Sequence, residues 1–271
     1  MKILTRWAYY AWSVLELLFG VRNWKVLFRI FLGKPTPELK WLQLRKSGIQ
    51  MAVRGKMDVW SVKEALIDRF YQRYGSEIGS NWIIADVGAA IGEFTIPAGL
   101  AAAGGRVLAF EPNPGSLDIF RPNLRGNNVR NAQVFSLGVW SEAGNIMLDF
   151  STGEPLQARS MAPDGNGASQ GMPTITLEGL INEYAGGHLD LLKLDCEGAE
   201  YPILLSAPSE TLRAIDRVVM EYHDLDKERS HASLVRLFEA NGFQVRLHGN
   251  FAHRELGYLY ASRNLTLPRN D

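Results

Sequence analysis

Asp86-Val87-Gly88-Ala89-Ala90-Ile91-Gly92 follows the apolar run Trp82 to Val87 and opens a helical pattern over Ile91 to Ala103. A strand that turns sharply into a helix through glycines is the start of a ligand-binding α/β sheet. Gly88 permits the tight turn and close approach of a ligand, and Gly92 lets the helix approach the sheet. Three residues separate the glycines, so the stretch is neither the dinucleotide fingerprint G-x-G-x-x-G nor a phosphate loop ending in Gly-Lys-Ser/Thr. Asp86 places a carboxylate at the strand edge. It would repel a pyrophosphate and suits a cationic cofactor.

Outward from this stretch, short apolar runs alternate with helical periods. Arg106 to Glu111, Gln133 to Gly138, Leu189 to Leu194, Ile215 to Glu221, Phe243 to Leu247 and Gly257 to Tyr260 read as strands, with Asn145 to Phe150 as an extra one. Ser116 to Arg125, Leu177 to Tyr184, Ala199 to Leu205 and Ser233 to Ala240 read as helices. The pattern predicts an α/β domain over residues 81–265, with a mostly parallel sheet covered by helices on both faces. Its ligand should lie beyond the carboxyl ends of the strands, near the topological switch. Ser151 to Pro173 breaks the rhythm with glycine, serine, alanine and proline, and reads as a lid or substrate-facing loop.

The second strand ends at Phe110-Glu111-Pro112-Asn113, where the Glu111 carboxylate can accept hydrogen bonds from both hydroxyls of a ribose. With Asp86 and the glycine turn, this points to S-adenosylmethionine, whose sulfonium and ammonium tolerate acidic neighbours. Ser136, at the end of the third strand, marks where the adenine would rest, and Asn113 serves the cofactor or caps a helix.

The run Leu191-Leu192-Lys193-Leu194-Asp195-Cys196-Glu197-Gly198-Ala199-Glu200 carries the second set of candidates. Lys193 in so apolar a strand needs a partner carboxylate. Asp195 emerges where the reactive end of the cofactor should lie, while Glu197 and Glu200 suit a helix start. One strand later, Glu221 and His223 share a side. His223, with an ordinary pKa near 6.5, is the preferred proton acceptor beside Asp195. No metal is required; if a divalent ion takes part, Asp195, Glu197, Glu221 and His223 are its ligands. Cys196 reads as packing rather than a nucleophile.

The chain of 271 residues has zero formal net charge, 46% hydrophobic residues and one cysteine. These figures exclude a disordered chain, a disulfide framework and a dedicated nucleic-acid binder. Charge is uneven, however. Nine lysines and arginines in residues 1–46 face only Glu16 and Glu38, alongside four of the seven tryptophans. Residues 1–48 form a basic, helical extension, and residues 49–80 a strand and helix cover in which Asp58 caps one helix through Tyr74. Ala8 to Val21 is too short for a membrane span and carries Glu16 at its centre. No signal-peptide cleavage pattern follows, so the chain is expected in the cytoplasm. The extension either packs on the domain or a second copy, or lies at the interface of an anionic membrane.

In their order, DVGAAIG at 86–92, AFEPNP at 109–114, TLEGL at 176–180, LLKLDCEGAE at 191–200 and MEYHD at 220–224 resemble the FkbM family of S-adenosylmethionine-dependent methyltransferases. The resemblance spans roughly residues 49–261 and includes RGKMD at 54–58. It implies a class I, Rossmann-like methyltransferase fold and O-methylation of a sugar, glycan or small-metabolite hydroxyl. The family's glycine loop often reads DVGANIG, and Ala90 stands in the asparagine position. The alternative is a noncatalytic scaffold that keeps the fold.

Overall fold

The computed structural model describes residues 2–33, 38–149, 159–161, 171–250 and 255–263. A seven-stranded sheet forms its centre, built from β3 (Ile83–Val87), β4 (Arg106–Phe110), β5 (Ala132–Phe135), β10 (Leu191–Leu194), β11 (Arg217–His223), β12 (Gln244–Gly249) and β13 (Leu256–Ser262). The order across it is β12-β13-β11-β10-β3-β4-β5. β5, β4, β3, β10 and β11 run parallel, and β13 lies antiparallel between β11 and β12. The chain leaves the centre from β3 towards β5, then returns to β10 and proceeds the other way. The crevice therefore opens between β3 and β10, at the strand ends carrying Gly88 and Asp195.

Burial on both faces explains the continuous apolar strands. Ile84, Leu108, Leu192, Leu194, Val218 and Met220 are fully buried, each contributing on the order of 1.5–3 kcal/mol. Helix α5 (Thr95–Ala101) packs on β4 and β5, and α6 (Pro114–Gly126) begins where Asn113 accepts from the Gly115 N–H at 2.9 Å. Asn113 with Pro114 at the first helical position is an efficient cap. A smaller sheet, β6 (Gly138–Val139), β9 (Met172–Ile175), β7 (Gly144–Asp149) and β8 (Arg159–Met161), lies in the segment before β10. The extra strand is thus present as β7. Residues 150–158 and 162–170 lie outside the described residues, and with them most of the Ser151–Pro173 loop.

The amino-terminal part is α1 (Lys2–Gly20), α2 (Lys25–Leu32), a hairpin of β1 (Lys40–Gln43) and β2 (Gln50–Val53), α3 (Lys56–Val62) continued by a π-helical turn over Lys63–Ile67, and α4 (Phe70–Tyr74). The hairpin bridges residues 48 and 49. Asn123 of α6 fastens it to the domain: its Oδ1 accepts from Ala52 N–H at 2.6 Å, and its Nδ2 donates to the carbonyls of Ala52 and Ile91. Glu16, near the carboxyl end of α1, meets Lys63 at 2.9 Å; Lys63 is 1% exposed and also pairs with Asp68 at 2.6 Å. A lysine buried this deeply requires those partners.

Several boundaries differ from the sequence expectation. Asp58 is not a cap but sits in the first turn of α3, where it binds the Arg54 guanidinium and backbone N–H. The expected helix through Tyr74 breaks at Arg69, whose φ of 56° is left-handed. Helix α5 starts at Thr95 rather than Ile91, because Ala90 and Gly92 hold positive φ and cannot be helical. The strand expected over Gln133 to Gly138 divides into β5 and β6.

Candidate active site

The turn after β3 is organised around one carboxylate. Glu111, at the end of β4, accepts from the Ala90 N–H through Oε2 at 2.8 Å and from the Asn113 N–H through Oε1 at 2.7 Å. Burial pushes its pKa up to about 7, against the lowering effect of those two N–H groups. Each oxygen retains acceptor capacity beyond its backbone bond, as a ribose diol requires. Gly88 has φ 72°, and a Cβ there would stand 1.9 Å from the Asp195 carbonyl oxygen. Its smallness serves the meeting of the β3 and β10 ends. Gly92, at φ 89°, would put a Cβ 2.3 Å from the Phe120 ring, so its close approach is to α6. Ala90 occupies φ 46°, a conformation costing a residue with a Cβ about 1–2 kcal/mol and favouring glycine or asparagine. Ser136 is exposed just beyond β5.

Asp86 does not present its carboxylate to the crevice. It is fully buried, with Oδ1 3.0 Å from Lys193 Nζ and Oδ2 accepting from Thr95 Oγ1 at 2.6 Å. The partner that Lys193 needs is therefore Asp86, and Lys193 also donates to the Gly88 carbonyl at 2.8 Å. Burial works against the lysine charge, but Asp86, Asp195 and Glu93 outweigh it and raise its pKa.

Beyond the carboxyl ends of β10 and β11, side chains from several elements come together. Asp195 Oδ2 accepts from the Tyr71 hydroxyl at 2.6 Å, and the same Tyr71 ring lies 5.5 Å from Lys193 Nζ. Asp195, Glu221 and His223 offer ligand atoms within 4.8 Å of one another. His223 is bracketed, with Nε2 3.6 Å from Glu197 Oε2 and Nδ1 3.5 Å from Glu200 Oε1. Glu200 is 0% exposed, and its Oε1 also accepts from the Cys196 N–H at 2.7 Å. Burial disfavours the imidazolium, yet the Glu200, Glu221 and Asp195 carboxylates prevail and raise the His223 pKa to about 10. The ring is consequently protonated at neutral pH, unlike a free histidine. A divalent ion on these residues would first have to displace that proton. Burial raises the Glu221 carboxyl well above its usual range, with Asp195 and Glu64 adding to the effect. Burial likewise raises the Cys196 thiol.

Sequence reasoning missed Tyr71, Glu64 and Glu93. Tyr71 comes from α4 and packs edge-on against Phe94 at 5.3 Å. Glu64 accepts from Trp60 Nε1 at 2.9 Å; burial lifts its pKa to about 8, with Asp195 and Asp68 contributing. Glu93 accepts from Ser61 Oγ and from the Ile91 N–H, and burial raises it to about 7. For Tyr71 and Glu64 the sequence signal was polar groups interrupting an apolar cover segment, a pattern shared by any exposed helix, whereas Glu93 directly follows the glycine turn at Gly92.

The sheet order, the glycine turn after its first strand and the carboxylate ending its second define a class I methyltransferase. The donor set fits S-adenosylmethionine, with a carboxylate for the ribose diol and an acid-rich wall suited to its cationic end. Residues 86–245 match the model of the methyltransferase FkbM domain, and the chain belongs to that family. It is an S-adenosylmethionine-dependent methyltransferase. The chain is 28% identical over 202 residues to Methyltransferase 1 of Beauveria bassiana, covering 68% of this chain and 80% of the relative. It is also 28% identical over 213 residues to the 31-O-demethyl-FK506 methyltransferase FkbM of Streptomyces tacrolimicus, with the same coverage. The crystal structure of methyltransferase FkbM from Methylobacillus flagellatus aligns with a TM-score of 0.45 and 16% identity, over 75% of this chain and 53% of that one.

Proposed function

We propose that this enzyme methylates a hydroxyl of a small molecule, with sugar and glycan hydroxyls the acceptor class to test first. The supporting observation is the Tyr71-bound Asp195 carboxylate at the end of β10, beside a His223 ring held between Glu197 and Glu200. A methyl acceptor hydroxyl must lose its proton, and a positioned carboxylate can take it. One relative is named for a 31-O-demethyl-FK506 acceptor, which agrees with oxygen chemistry on a small molecule.

S-adenosylmethionine, when bound, supplies an electrophilic methyl group on a positively charged sulfur. Glu111 would hold the ribose hydroxyls, fixed in place by the N–H groups of Ala90 and Asn113. Gly88 and Ser136 would border the cofactor, and Asp86 would act through Lys193 by fixing the Gly88 carbonyl. Tyr71 engages one oxygen of Asp195, leaving Oδ1 to take the hydroxyl proton. The charged state of His223 supports giving that step to Asp195. His223 would then be the cation that keeps Glu197, Glu200 and Glu221 together, and positions the acceptor. Catalysis rests on alignment and placed charge.

The test is calorimetric titration with S-adenosylmethionine, followed by mass-spectrometric screening of hydroxylated acceptors, including sugars. Saturable binding that weakens in Glu111→Ala, with transfer to a hydroxyl lost in Asp195→Asn, is the expected result. Transfer only to amines, or full activity in Asp195→Asn, would sink the reading.

A further inference from the structure

Eight of the exposed large apolar residues fall within residues 12–32: Trp12, Val14, Leu15, Phe19, Trp24, Phe28, Phe31 and Leu32. The rest of the described chain exposes only five others of this kind. Such concentration on two helices is unlike the scattered apolar exposure of an ordinary surface. Helical geometry shows why. On α1, Ser13 and Leu17 are buried and Glu16 is held by Lys63, so that side is docked. Leu15 and Phe19 project away from it, Phe19 75% exposed, while Trp12, 62% exposed, stands beside Glu16 and donates Nε1 to its Oε1 at 2.9 Å. On α2, Leu27 is buried, while Phe28 and Leu32 face out, with Leu32 80% exposed and Phe28 edge-on to Trp24 at 5.7 Å.

Charge identifies the occupant. Arg22, Lys25 and Arg29 are all exposed on the same segment. At the carboxyl end of α1, Phe19 borders a cavity of about 630 Å³ whose lining includes Arg45, Lys46 and Arg69. The acids nearby are already engaged: Glu16 with Lys63, Glu38 with Lys40 at 2.5 Å, and Glu77 with Arg69 at 3.5 Å. A second copy of this face would bring like charges together without carboxylates to answer them. An anionic lipid surface satisfies both features, because the tryptophans and phenylalanines enter the interface while the lysines and arginines meet the headgroups. No helix among the described residues is long and apolar enough to cross a membrane.

We infer that the outward faces of α1 and α2 form a peripheral docking surface for anionic membranes. The enzyme would lie on the bilayer through Trp12, Phe19, Phe28 and Leu32, steered by Arg22, Lys25 and Arg29. This inference does not depend on the acceptor, and its test reads binding rather than turnover.

The full chain is sedimented with phosphatidylcholine vesicles, with and without phosphatidylglycerol, while tryptophan emission is recorded. Binding to the anionic vesicles with a blue shift, weakened by salt, is expected. Lys25→Glu with Arg29→Glu should weaken it at least about tenfold, and Phe19→Ser with Leu32→Ser should do the same. S-adenosylmethionine binding should be unchanged in both variants, which verifies folding. Failure of the folded wild-type chain to bind either vesicle overturns the proposal. So does vesicle binding that both double variants leave intact. A stable dimer in analytical ultracentrifugation that the Phe19→Ser, Leu32→Ser variant abolishes would also overturn it, assigning the face to a second copy.

Discussion

The two loops that face each other across the crevice each hold a left-handed side-chain residue and differ in chemistry. Residues 88–92 follow β3 and residues 195–198 follow β10, and each carries a non-glycine residue in the left-handed region, Ala90 at φ 46° and Glu197 at φ 53°. Beside the first loop, two backbone N–H groups, that of Ala90 and, from beyond β4, that of Asn113, hold one carboxylate, Glu111. In the second, carboxylates gather around one cation, His223. Backbone donors suit a constant cofactor, because their positions follow from the turn alone. Side chains from separate elements suit an acceptor and its proton, because their charges can be tuned by burial and by one another.

If this division holds, Asp195→Asn should be the most severe change, lowering kcat by about 10²–10⁴-fold with little effect on S-adenosylmethionine affinity. Steady-state kinetics beside calorimetry would separate the two quantities. Glu111→Gln should do the converse. Its amide cannot accept from both Ala90 and Asn113, so cofactor affinity should drop by about tenfold or more while the acceptor KM is spared. Equal losses in both quantities for either variant would break the comparison.

Tyr71→Phe sharpens it further. Removing the hydroxyl that donates to Asp195 should lower kcat by about tenfold and shift the pH profile, leaving cofactor binding intact. A thermal melt that changes without a change in the profile would reduce Tyr71 to packing.

The buried carboxyls around the two loops also predict how stability depends on pH. Burial holds Glu111 and Glu93 at about 7 and Glu64 at about 8, above the 4.5 of an exposed glutamate. Between those values the folded chain keeps protons that the unfolded chain has released. Stability is therefore present at the acid end and lost as pH rises through 7 to 8. Melting temperatures recorded across this window should fall, and Glu111→Gln should flatten the slope. The smallest expected effect is Ala90→Gly, which relieves the left-handed alanine and should stabilise the protein by about 1 kcal/mol in denaturant titrations. A destabilised variant would mean that the Cβ packs usefully.

What was legible in the residues is what depends on local order. The glycine turn at 88–92, Glu111 ending β4 and Asp195 ending β10 follow from apolar runs whose lengths and crossovers dictate a parallel sheet. The need of Lys193 for a counter-charge was equally local, since burying a charged lysine without one is costly. The tertiary structure decided which carboxylate answers it. Asp86 does, two strand ends having been brought side by side by the return from β5 to β10. It also decided the proton state of His223, set by Glu200, Glu221 and Asp195. Tyr71 lies 124 positions before the carboxylate it binds, in a cover segment whose pattern speaks only of packing. Strand and turn formation are governed by neighbours in sequence, whereas desolvation and charge depend on neighbours in space, and only the folded chain specifies those.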